Sequence, residues 1–135
     1  MDIRRITEDV SVSPQILPEH LPDIATSGFK SVICNRPDEE DPGQPRFADV
    51  AEAAKAVGVE ARLMPVVSRD DCAEGAAGFA RLLDELPKPV LAYCRSGTRC
   101  AVLWALSQQG SKPVPEIVEA AGAAGYDLRG MFAAG

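Results

Sequence analysis

Seven consecutive residues, Cys94-Arg95-Ser96-Gly97-Thr98-Arg99-Cys100, combine a nucleophile, small hydroxyl residues, a glycine and two arginines. They stand between a short apolar run, Val90-Leu91-Ala92-Tyr93, and a segment with helical spacing marked by Ala101, Val102, Trp104, Ala105 and Leu106. A loop between a strand and a helix can curl so that its N–H groups point inward, and Gly97 permits the turn this needs. The helix start adds unpaired N–H groups and the positive end of a dipole. Such a nest binds anions. A thiolate at Cys94 is itself an anion, so the nest lowers its pKa; cysteines in such places fall to about 3.5–7.5, against about 8.5 when free. Arg95 and Arg99 add permanent positive charge, and Arg99 a forked donor. Ser96 and Thr98 offer hydroxyl hydrogen bonds. The chemistry predicted is nucleophilic group transfer through Cys94, with residues 95–99 as the anion-binding loop.

Two other thiols are candidate resolving cysteines. Cys100 lies on the first turn after the loop, and Cys72 lies at the start of an earlier predicted helix. Either would attack an oxidised or persulfidated Cys94; the alternative for each is a small buried residue. Cys34 ends an apolar run and reads as core. Three carboxylates are candidate general acids: Asp70 and Asp71, which otherwise cap a helix, and Asp38, on an earlier loop. Arg36 either extends the positive field or pairs with the acidic run Asp38-Glu39-Glu40-Asp41.

The elements that position these residues follow from periodicity. Strands are expected at Ile3–Ile6 with Val10–Val12, at Ser31–Cys34, at Leu63–Val67 and at Val90–Tyr93. Helices are expected around Leu21–Ala25, Phe47–Val57 and Ala76–Leu86, after the Cys94 loop, at Pro115–Ala121 and at Leu128–Phe132. Strands alternating with helices imply parallel pairing through crossovers. The fold class is α/β, with a central, mostly parallel sheet of four or five strands and helices on both faces. Active sites in such folds lie at the carboxyl ends of the strands. Cys94 and the loops after Cys34 and Val67 fall there.

Composition bounds the rest. The 135 residues suit one domain, 1–135, with an ordinary apolar share of 46%. The net charge of -6, without a basic stripe, argues against nucleic acid as partner. No apolar run would span a bilayer. The amino terminus leads into no signal-type core, so a cytoplasmic chain with reduced thiols is expected. Wide cysteine spacing and a single histidine predict no metal site, and no cofactor is implied.

The strand, cysteine loop, arginine and helix resemble the cysteine-dependent phosphatases, notably the compact dual-specificity type. More closely, the chain is similar to the phosphatase-like domain of the bacterial beta-lactamase-hydrolase-like family. The landmarks are Val12-Ser13-Pro14-Gln15, Gly28-Phe29-Lys30-Ser31-Val32-Ile33, Asn35-Arg36-Pro37-Asp38-Glu39-Glu40, Pro65-Val66, and the Cys94 loop with Leu103-Trp104 behind it. The resemblance implies a protein-tyrosine-phosphatase-like fold.

One feature departs from the phosphatase pattern. Those enzymes place five residues between cysteine and arginine, whereas four lie between Cys94 and Arg99. The shorter ring resembles that of rhodaneses, many of which read Cys-Arg-Ser-Gly. The family also occurs beside, or fused to, persulfide-oxidising enzymes. The resemblance therefore implies a sulfurtransferase that carries sulfane sulfur as a Cys94 persulfide. Its donor would be a persulfide or thiosulfate, and a separate persulfide dioxygenase would be its partner. The alternatives are a cysteine-dependent phosphatase acting on a phosphorylated substrate through a phosphocysteine, and a non-catalytic anion- or phosphopeptide-binding module.

Overall fold

The computed structural model describes residues 1–132, in which strands and helices alternate along the chain. The strands are β1 (Arg4–Arg5), β2 (Val10–Ser13), β3 (Ser31–Cys34), β4 (Glu60–Leu63) and β5 (Val90–Tyr93). The helices are α1 (Leu21–Thr26), α2 (Phe47–Ala56), α3 (Arg69–Glu85), α4 (Thr98–Ser107), α5 (Val114–Ala123) and α6 (Arg129–Phe132), with a 3₁₀ turn at Pro18–His20. The five strands form one sheet in the order β1-β2-β5-β3-β4. Only β1 runs antiparallel to its neighbour. This is the mixed, mostly parallel α/β sheet expected from the alternation of periods.

β5 is the central strand, paired on one side with β2 and on the other with β3. Both its faces are covered, which explains an unbroken apolar run rather than alternation. Val90, Ala92 and Cys94 face a core built with Phe79 and Leu83 of α3, Leu103 and Trp104 of α4, and Ile117 of α5. Leu91 and Tyr93 face the other core, with Leu21 and Ile24 of α1 and Val50 and Ala54 of α2. Burying a side chain of this size fully contributes about 1.5–3 kcal/mol. Tyr93, Leu91, Leu103 and Trp104, at 0–1% exposed, therefore anchor both ends of the Cys94 loop.

α3 packs closely on α4. A side chain at Gly75 would meet the tip of Met64, its Cε at 2.9 Å, and Leu103 of α4 at 3.6 Å. Ser68 caps this helix. Its side chain accepts from the Asp71 N–H, and the Asp71 carboxylate accepts in return from the Ser68 N–H. The expected cap at Asp70 or Asp71 is thus corrected: Asp71 is the third residue of a capping box.

The strand expected at Leu63–Val67 lies earlier, at Glu60–Leu63. Its ladder runs from Ser31 opposite Glu60 to Cys34 opposite Leu63, and ends where β3 ends. Pro65 has no N–H to continue it. β4 is an edge strand with mostly exposed side chains, so the apolar run beyond it misled the periodicity. That run still follows the β3 loop, with the Met64 N–H on the Cys34 carbonyl (2.8 Å) and the Val66 N–H on the Asn35 carbonyl (3.2 Å). No helix of the described residues is long and apolar enough to cross a membrane.

Candidate active site

β5 ends at Tyr93 and α4 begins at Thr98, so the loop spans Cys94–Gly97 at the carboxyl end of the sheet. Its start is tied to β2 by the Cys94 N–H on the Ser13 carbonyl, at 3.3 Å. Its end enters α4 through the Ala101 N–H on the Gly97 carbonyl, at 3.0 Å. Gly97 adopts φ +90°, the left-handed conformation that a residue with a Cβ resists. That turn aims its N–H at the Cys94 Sγ, 3.1 Å away.

The Cys94 thiol titrates at about 5, well below its ordinary value. The first cause is a hydrogen bond from the Cys100 thiol; the N–H groups of Cys100, Ser96 and Gly97 add to it, and burial opposes them. Donors to the charged form outweigh the desolvation that alone would raise the pKa. Cys94 is therefore a thiolate at neutral pH. Its surface is wholly covered.

The structure sorts the remaining candidates. Cys100 is fully buried beside Cys94, and burial pushes its own thiol well up. It is the un-ionised partner that donates. Cys72 is buried as well, its thiol raised by desolvation and set against the Arg99 carbonyl at 4.0 Å. All four cysteines are free thiols. The Ser96 and Thr98 hydroxyls bond to each other at 3.1 Å on the exposed rim, which corrects the expectation that they would serve the nest. The Cys100 thiol and backbone N–H groups do so.

Arg95 turns outward, 68% exposed, and pairs with Asp41 at 3.3 Å rather than joining the nest. Arg99 is drawn in. Its Nη1 and Nη2 grip the two Glu40 oxygens at 2.7 and 2.8 Å, and Nη1 also donates to the Val66 carbonyl at 2.8 Å. Its Nε has no partner among the described residues, and its charge is close enough to be coupled to the Cys94 thiolate. Glu40 also accepts from Arg36 at 2.9 Å, and the two arginines hold its carboxyl down at about 2. The buried Arg36 pairs with the acidic run, the second of its two expected roles. Arg99–Glu40–Arg36–Asp41–Arg95 thus form one chain of alternating charge that straps the β3 loop to the rim of the Cys94 loop.

Two of the three candidate acids are engaged elsewhere. Asp71 accepts from the Val67 and Ser68 N–H groups, which lower its pKa and keep it ionised. Asp38 accepts from the Phe47 N–H at 2.9 Å and caps α2. Asp70 is exposed on the first turn of α3. Among the described residues no cluster of ligands would hold a metal ion. Glu40 and Tyr126 are contacts of this loop that the sequence did not indicate. The first contacts Arg99 across 59 positions and the second contacts Ser96 across 30. The only local signal was the acidic run at the active end.

With the geometry in place, comparison with known proteins is informative. Residues 2–111 match the family described as beta-lactamase hydrolase-like protein, phosphatase-like domain. A beta-lactamase hydrolase-like protein of Agrobacterium fabrum is 34% identical over 104 residues, 77% of this chain. The chain spans between 24% and 30% of the curated relatives it matches. Among solved structures, a candidate phosphatase of Neisseria meningitidis is 39% identical, with a TM-score of 0.85 over 97% of this chain and 94% of that one. The active form of Tk-PTP, 18% identical with a TM-score of 0.64 over 93% of this chain and 86% of that one, shares the fold.

Proposed function

The chain belongs to the family of phosphatase-like domains of beta-lactamase hydrolase-like proteins, and on that premise we propose that it is a cysteine-dependent phosphatase acting through a phosphocysteine on Cys94. The observation that carries the proposal is the depressed Cys94 thiol, held by a ring of inward N–H groups at the start of α4. The family match and the Neisseria meningitidis likeness support phosphate as the group handled. An ordinary thiol would have suited a silent binding module.

In this reading the Cys94 thiolate attacks phosphorus. An S–P bond forms as the P–O bond to the leaving group breaks. The nest N–H groups and the Arg99 Nε hold the phosphoryl oxygens, with Glu40 fixing the guanidinium from behind. Water then attacks phosphorus, the thiolate leaves, and inorganic phosphate is released. Asp38 and Asp71 are both held by helix-start N–H groups, so an oxygen that can leave as an anion is the easier leaving group. The substrates are therefore monoesters of acidic alcohols, aryl phosphates above all.

A second reading, sulfur transfer, is favoured by one observation: only four residues separate Cys94 from Arg99. A persulfide or thiosulfate would give its outer sulfur to Cys94, and a thiolate leaving group needs no proton. A separate persulfide dioxygenase would then be the partner.

One experiment separates the two. Phosphate release from an aryl ester and from an alkyl ester is measured, beside the intact mass after glutathione persulfide. We expect aryl hydrolysis with alkyl hydrolysis slower by about 10²-fold or more, the usual contribution of a general acid. Absence of hydrolysis, with one sulfur gained by the native protein and none by Cys94→Ser, would replace phosphate with sulfane sulfur as the cargo.

A further inference from the structure

The residue that aims the Gly97 N–H at the nucleophile lies outside the loop and beyond the residues matched by the family. After α5 the chain turns through Gly125, at φ +99°, and presents Tyr126. This turn is docked twice. The Tyr126 N–H closes on the Ala121 carbonyl at 2.9 Å, and the Arg4 Nη1 bonds to the Ala124 carbonyl at 3.3 Å from β1. Arg4 also packs against Gly125, where a Cβ would lie 2.3 Å from its Nη1. The Tyr126 side chain, half-buried, reaches back over the loop. Its hydroxyl donates to the Ser96 carbonyl at 3.3 Å, and a Cβ built on Gly97 would stand 2.2 Å from its oxygen.

The Ser96 carbonyl and the Gly97 N–H are two ends of one peptide group. The unit is trans, so the two bonds point in opposite directions. Holding the carbonyl outward on Tyr126 therefore holds the N–H inward on the Cys94 Sγ. A donor on the carbonyl also polarises the peptide and strengthens its N–H as a donor. We propose that Tyr126 is a positioning residue for the nucleophile, which fixes the Ser96–Gly97 peptide in the orientation that stabilises the Cys94 thiolate. The inference rests on Cys94 being the reactive thiolate, though it holds whichever group the sulfur carries.

Around the phenol, Arg4 and Asp2 supply opposite charges from the β1 side, and Cys94 and Cys100 face it from the loop. Tyr126→Phe leaves the ring and these groups in place and removes only the donor. The test is the Cys94 titration, read as ultraviolet thiolate absorbance of each protein minus that of its Cys94→Ser counterpart. We expect the Tyr126→Phe midpoint to rise by about half to one pH unit, the weight of one modest hydrogen bond. The melting temperature should stay within about 2 °C, as suits the loss of one hydroxyl on a half-buried ring. Tyr126→Leu, which also removes the ring, should raise the midpoint at least as far. A Tyr126→Phe midpoint equal to the native one would overturn the inference. A native midpoint already near 8 or 9 would instead overturn the thiolate reading beneath it.

Discussion

Replacing Cys94 by serine is expected to lower turnover by at least about 10⁴-fold, with the fold retained. A serine hydroxyl does not ionise at neutral pH, so the same nest has no anion to stabilise and no nucleophile to release. The oxygen fits where the sulfur stood, packed among Val90, Ala92 and the α4 side chains. Loss of activity therefore cannot be blamed on the core. Steady-state hydrolysis of an aryl phosphate, beside far-ultraviolet circular dichroism, checks both halves. Stability should respond to pH as well. The native thiol sits near 5 and the unfolded one near 8.5, so the thiolate's contribution is complete above the unfolded value. It is lost progressively as pH falls through 5. The serine variant should lack that slope.

Gly97→Ala is the second large effect. Two independent features oppose a methyl group there. The backbone is left-handed at φ +90°, which costs an alanine about 1–2 kcal/mol. The methyl would also stand 2.2 Å from the Tyr126 oxygen and 3.4 Å from the Ser13 carbonyl carbon. Relief would come from displacing the Tyr126 ring and easing the left-handed turn, and either change loosens the Gly97 N–H from Cys94. We expect destabilisation of about 1–2 kcal/mol in denaturant unfolding. We also expect activity down by about 10²-fold, the cost of a displacement near 1 Å at a reacting centre. An alanine variant with native activity would show that the Gly97 N–H contributes little.

Much of this site was legible in the chain because it is local. Val90–Tyr93 had to be a covered strand, Gly97 had to turn, and the apolar spacing after Thr98 had to be a helix. These three facts alone place Cys94 in a nest of N–H groups. The roles that escaped detection depend on contacts between distant segments. The sequence offers Arg99 as an anion receptor but not the carboxylate 59 positions away that holds two of its nitrogens and leaves the Nε for that role. Arg95 was read as part of the nest, but Asp41 draws it outward. Two of the candidate acids, Asp71 and Asp38, are engaged for a related reason. A carboxylate near a helix start is as well used by N–H groups as by a substrate, and Ser68 completed the box that occupies Asp71. β4 slipped because an edge strand need not show apolar alternation, so the apolar Leu63–Val67 run outweighed Glu60–Leu63 in the reading.

These roles all depend on one property of Cys94, its charge at neutral pH. The most direct test is the titration of that single thiol in the native protein, taken as the difference in thiolate absorbance between native and Cys94→Ser chains. A midpoint near 5 is the predicted result, with the signal flat from pH 6.5 upward. A midpoint between 8 and 9 would contradict the account, because the loop would then hold an ordinary thiol and its N–H groups would serve some other anion.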